Sequence, residues 1–222
     1  MNKKIKTATV TQNDFIIRAV TDEELDIRGH LSHFTEYDQN GHVLKEIKYD
    51  RTGHFEGMHL FAYDDKGFVV TESYFPEVDQ EAEKTTFEND ESGTVLKSLK
   101  QYLDGSVDTT LFLYDDNKRL VKKITSADDD EPEEVEVFEE GETIPEEMTP
   151  DEEDTDTRIT RNDKGQIVLE ESFSDDEELL TRVERKYDEW DNLSEVDVFI
   201  NGLGKTFTRH YILTYQYTFF ED

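Results

Sequence analysis

The sequence predicts an all-β protein: a long antiparallel meander of repeated hairpins, curled into a rolled sheet or an open barrel-like scaffold. Three observations carry that prediction. A tyrosine-aspartate-turn-glycine phrase recurs along the chain, its copies are evenly spaced, and the apolar residues between them alternate with a period of two.

The phrase stands as YDQNGHV at 37–43, YDRTGHF at 49–55 and YDDKGFV at 63–69, with worn copies NDESGTV (89–95), YDDNKRL (114–120), RNDKGQI (161–167) and YDEWDNL (187–193). First positions Tyr37, Tyr63, Asn89 and Tyr114 lie 26, 26 and 25 residues apart, and Arg161 and Tyr187 again 26. That is the length of two strands and two turns. Asp at the first place of a type I turn accepts hydrogen bonds from the backbone ahead of it, and Gly three residues later adopts the left-handed conformation that closes a hairpin. Two residues past the Gly position an aliphatic side chain returns each time: Val43, Val69, Val95, Leu120, Ile167 and Leu193. Turn and anchor therefore specify one register.

Taken in order, Asp14 to Val20 reads as a strand, and Thr21 to Leu25 carries the start signal of a short helical turn. An N-terminal strand follows over 26–36. Residues 37–127 hold the best repeats, with strands marked by Val43, Ile47 and Tyr49, by Phe55, Phe61 and Tyr63, by Val95, Leu99 and Leu103, and by Val107, Leu111 and Leu113. A second, less regular set of turns falls midway, at 49–53, 76–81, 103–106, 174–177 and 201–204. Apolar residues on both faces at 68–70, 111–113 and 198–200 predict a sheet covered in part on both sides. Residues 128–156 read as a degraded repeat: Val135, Val137 and Phe138 form a strand between flexible acidic arms, with a disordered insertion as the competing reading. Repeats resume over 157–200. A C-terminal strand over 205–220 carries Phe207, Tyr211, Leu213, Tyr215, Tyr217 and Phe219. All 222 residues fit one domain.

The phrase resembles the YD-repeat family, also called RHS repeats, over Tyr37 to Leu193. What the resemblance implies is a bacterial β-sheet scaffold with toxin associations and no catalytic residues. The chain departs from the large members of that family in having too few repeats to enclose a toxin and no self-cleavage signature near its C-terminus.

Charge is the second large signal. Against 24 Lys and Arg stand 56 Asp and Glu, a formal net charge of -32. Such a field repels nucleic acid and anionic lipid and attracts basic proteins and divalent cations. Between Asp128 and Asp156 lie 17 acidic residues and neither Lys nor Arg, so one segment holds about half of the excess. Cysteine is absent, which excludes disulfides and thiol chemistry. Residues 1–8 lack the apolar stretch of a secretory signal, and no segment reaches membrane-spanning helical length, so the expected location is the bacterial cytoplasm.

Nothing nominates catalysis, a cofactor or a metal. Nucleophile elbows, phosphate-cradling glycine loops and HExxH helices are missing. Strand alternation separates His30 from His33 and His54 from His59, while His42 and His54 share one place after the turn glycine. Asp-rich turns offer oxygen ligands without the spacing of an EF-hand. The expectation is a non-enzymatic acidic binding protein, most concretely an immunity protein that neutralises a basic toxin such as a nuclease. The alternative is a structural or envelope-associated repeat module that binds carbohydrate or calcium. For the first reading the contact residues are Asp128, Asp129, Asp130, Glu131, Glu133, Glu134, Glu139, Glu140, Asp151, Glu152, Glu153 and Asp154 of the acidic segment, Asp64, Asp65, Asp115 and Asp116 of the turns, and Trp190 as an apolar anchor.

Overall fold

The computed structural model describes residues 3–17, 25–127, 134–138, 156–201 and 208–221. All fifteen elements among them are strands: β1 (Ile5–Ile17), β2 (Leu25–Tyr37), β3 (Val43–Tyr49), β4 (Phe55–Tyr63), β5 (Val69–Phe75), β6 (Glu83–Asn89), β7 (Val95–Tyr102), β8 (Val107–Tyr114), β9 (Leu120–Ala127), β10 (Glu134–Val137), β11 (Asp156–Arg161), β12 (Ile167–Phe173), β13 (Leu179–Tyr187), β14 (Leu193–Asn201) and β15 (Thr208–Phe219). Hydrogen bonding orders them β10-β9-β8-β7-β6-β5-β4-β3-β2-β1-β15-β14-β13-β12-β11. Each strand neighbours its sequence successor except β10, since β10 and β11 end the order on opposite sides, and β1 pairs antiparallel with β2 on one side and β15 on the other. The all-β antiparallel meander is thus the observed fold.

Why the phrase builds this sheet is visible in the ladders. At the 63–69, 89–95, 114–120, 161–167 and 187–193 hairpins the register shifts by one residue beside the first position of the phrase. Tyr63 pairs Val69 while Ala62 pairs Thr71, leaving Val70 as the extra residue. This extra residue lies beyond the turn's own left-handed residue, Gly67, and such a bulge adds twist.

Contacts group the chain into two compact units. The first comprises β1, β2 and β11–β15 with the 38–41 and 50–54 turns. On one of its faces Tyr211, Leu213, Tyr215 and Tyr217 lie opposite Asp14, Gln12, Val10 and Ala8, and Val198 and Val196 lie opposite Tyr211 and Leu213. Ala8, Val196 and Val198 are buried there, the two valines contributing about 1.5–3 kcal/mol each. The second unit comprises β3–β10, and buries Met58, Ser73, Ser98 and Thr109. No large side chain among the described residues is fully buried. Ladder hydrogen bonds and cross-strand pairs therefore carry much of each unit's stability.

Several expectations need correction. The first strand is Ile5–Ile17, so it starts well before Asp14 and includes Asp14 to Ile17, and Leu25 is already in β2; residues 18–24, with most of the expected helical turn, lie outside the described residues. Double-sided cover fails at β8, where Leu111 and Leu113 are 42% and 44% exposed. The C-terminal strand is described over Thr208–Phe219, while 205–207, with Phe207, lie outside the described residues. In the acidic segment a strand does form, Glu134–Val137, with Phe138 following it and donating its N–H to Val121 O. The arms expected on either side fall almost wholly outside the described residues.

Candidate functional site

Every copy of the phrase closes in one way. The N–H at the glycine position donates to the carbonyl of the turn Asp or Asn, as from Gly67 to Asp64 O at 3.0 Å and from Gly93 to Asp90 O at 3.1 Å. The carboxylate then caps the loop from inside. Asp64 Oδ1 accepts the N–H groups of Lys66 and Phe68, both at 2.9 Å, and the same pair of bonds recurs at Asp50, Asp90, Asp115, Asn162 and Asp188. At Asp50, Asp90 and Asp115 these donors favour the ionised form. Thr52 hydroxyl and the His54 and Thr52 N–H groups take Asp50 from 3.8 to about 2. Ser92 hydroxyl and the Thr94 N–H lower Asp90, and the Arg119 N–H leads in lowering Asp115.

The first position of the phrase has its own task. Tyr63 Oη donates to Val43 O, Tyr114 Oη to Val95 O and Tyr187 Oη to Ile167 O, at 2.8–2.9 Å, and Asn89 Nδ2 does the same to Val69 O. In each case the acceptor is the first residue of the strand that opened the previous repeat. Tyr217 reaches Leu193 O and Asn201 reaches Leu179 O in the same manner. A long side chain ending in a donor thus ties these repeats to the ones before them, whereas Arg161 at the same place donates to Gly165 O of its own turn. The recurrence of Tyr and Asn at one place was the sequence signal for this tie, although sequence alone did not reveal its partner.

Consecutive phrase turns touch along the sheet margin. In the second unit the His42 ring packs over Gly67 and the Phe68 ring over Gly93, and Lys118 Nζ donates to Ser92 Oγ at 2.9 Å. In the first unit Lys164 bonds Asp191 Oδ1 at 2.5 Å. Turns two strands apart are about 9.6 Å apart by strand spacing. The margin is therefore a row of capped carboxylates with a few bridging lysines.

The anticipated contact residues divide accordingly. Asp64 and Asp115 are on this margin, but one oxygen of each is committed to its own turn, and Asp115 also ion-pairs with Arg119 at 2.7 Å. Asp65 and Asp116 are exposed beside them. Trp190 belongs to the first unit and is half-buried, its ring 5.3 Å from Phe219 with Lys3 Nζ 5.4 Å from its centre. Glu134 is exposed on β10. Asp128 to Glu131, Glu133, Glu139, Glu140 and Asp151 to Asp154 lie outside the described residues.

The histidine geometry corrects one step of sequence reasoning. A bulge in β2 puts His33 opposite Val10 and His30 opposite Gln12, so both point to one face. His33 Nδ1 is 2.9 Å from Ser32 Oγ, and His30 is 3.7 Å from Asp14. Missed altogether were two cross-strand pairs: His59 with Glu72 at 2.9 Å, flanked by Tyr74 and Phe61, and His210 with Asp197 at 2.7 Å, flanked by Phe15 and Phe199. The latter lines an open concavity of about 330 Å³ with Leu179, Arg182, Glu184 and Phe199. Arg182 is matched there by Glu184, so its charged groups satisfy one another. No cluster of three His, Asp or Glu suited to a metal occurs among the described residues.

No family model and no curated protein matches the chain. Among solved structures it is similar to a porin-like protein from Bacteroides uniformis ATCC 8492, at 11% identity and a TM-score of 0.41, over 96% of this chain and 98% of that one. A likeness of that strength says nothing about what this chain binds or where it resides.

Proposed function

We propose that this chain is a YD-repeat-like binding protein without enzymatic activity, whose acidic surface captures a basic protein. In the fuller form of the reading it is a cytoplasmic immunity protein, and its target a cationic toxin such as a nuclease. The observation that carries it is the charge, 56 acidic against 24 basic residues, joined to a turn geometry that holds Asp50, Asp90 and Asp115 ionised. Opposite charge steers association and suppresses anionic competitors.

The test is affinity capture with the tagged protein from the organism that encodes it, at low and at high salt. A basic protein retained at low salt and released as salt rises supports the reading. Recovery of neutral or acidic proteins alone sinks it.

A further inference from the structure

Strand β10 ends the sheet order, and no described strand pairs with its outer side. Phe138 donates to Val121 O, and Glu136 and Glu134 stand opposite Lys123 and Thr125. Alternation in an antiparallel ladder therefore turns the N–H and C=O of Glu134, Glu136 and Phe138 toward β9, and those of Val135 and Val137 outward. These valines are 48% and 64% exposed. Val135 also extends an apolar row, standing opposite Ile124, which stands opposite Leu111. Glu134 and Glu136 occupy the other face.

We infer that the outer edge of β10 receives an extended segment of a basic protein as an added antiparallel strand. The segment alternates Lys or Arg with aliphatic residues, its cations facing Glu134 and Glu136 and its aliphatic side chains continuing the Val135 row. Backbone bonds to Val135 and Val137 supply affinity, and the alternating side chains supply selectivity. An open edge invites such pairing unless it is blocked. A second copy of β10 is a poorer occupant, because the two-fold registers centred on Val135 and on Glu136 set Glu134 against Glu136 or Glu136 against itself, and like charges directly opposite repel. The inference rests on the basic-partner reading above and gives it a place and a mode.

The probes are an acetylated, amidated octapeptide alternating Lys and Val, and a twin of equal charge N-methylated at alternate backbone amides. Both are titrated calorimetrically into the full chain at low salt. The plain peptide is expected to bind at least ~10-fold tighter than its twin, and Val135→Pro is expected to abolish that preference. Proline there removes only an outward N–H, which edge strands tolerate. Equal affinity of the two peptides overturns strand addition while leaving charge-driven capture intact; no binding of either overturns both. A dimer of the wild type that Val135→Pro dissolves assigns the edge to a second copy and also overturns the inference. Should Val135→Pro not fold, the two peptides on the wild type still decide.

Discussion

At the scale of single residues, two side chains of the phrase do separable work: Asp closes its own loop, and Tyr bonds the previous repeat. Replacing Tyr63, Tyr114 or Tyr187 by Phe keeps the ring and deletes one hydrogen bond to a strand carbonyl. Each change should cost about 1 kcal/mol, read from the shift of the urea midpoint at constant slope. Acid should act through the Asp caps. Asp50, Asp90, Asp104 and Asp115 have lowered folded pKa values, so the unfolded chain binds more protons in the window below the ordinary 3.8. Their stabilisation is complete above that value and is lost as pH falls toward about 2, the value at Asp50. On the alkaline side burial pushes Tyr217 up to about 12. The folded state then holds a proton that the unfolded state has released, and stability falls between about pH 10 and 12. Melting temperatures across both windows check the two limbs.

At the scale of the hairpin, the left-handed residue and the neighbouring turn set different costs. Gly93 has φ +87°, and a Cβ there would lie 2.3 Å from the Phe68 ring, whereas Gly41, at φ +93°, has open space around it. Alanine at either position incurs left-handed strain of about 1–2 kcal/mol, so Gly93→Ala should destabilise more than Gly41→Ala in the same urea assay. Lys118 occupies the glycine position at φ 62°. Lys118→Gly relieves its strain and loses an exposed bond to Ser92 and an attraction to Asp90, and should leave stability unchanged or raised by about 0.5 kcal/mol. Such elements were legible in sequence because Asp, Gly and the returning aliphatic residue lie within seven positions of one another. Of strand β1 only the end, Asp14 to Ile17, was legible. Its run KTATVTQND shows no clean alternation, and its partner β15 lies some 200 residues away, with Thr7 bonding Thr218 across the pair. The seat of Trp190 on Phe219 was hidden because nothing in the turn that carries Trp190 names its partner, and the His30–His33 face was misread because one bulge reverses the side-chain count.

At the scale of the whole molecule, charge opposes the fold that displays it. A net -32 repels itself, and added salt screens that repulsion over a Debye length of about 10 Å at 0.1 M. Melting temperature should therefore rise from ~20 mM to ~500 mM sodium chloride, over the range in which capture of a basic partner weakens. Protein charge was wholly legible in the sequence. Its arrangement was legible in part: turn chemistry engages Asp64 and Asp115 as the phrase predicts, while the exposure of Asp65 and Asp116 is seen only on the folded margin. The most direct measurement is the affinity of the purified chain for its captured partner across that salt series, with a companion in which Asp65 and Asp116 are changed to Asn. Binding that weakens steadily with salt, and weakens further in the companion, is the predicted result. An affinity indifferent to both salt and substitution would contradict the claim that this surface works by its charge.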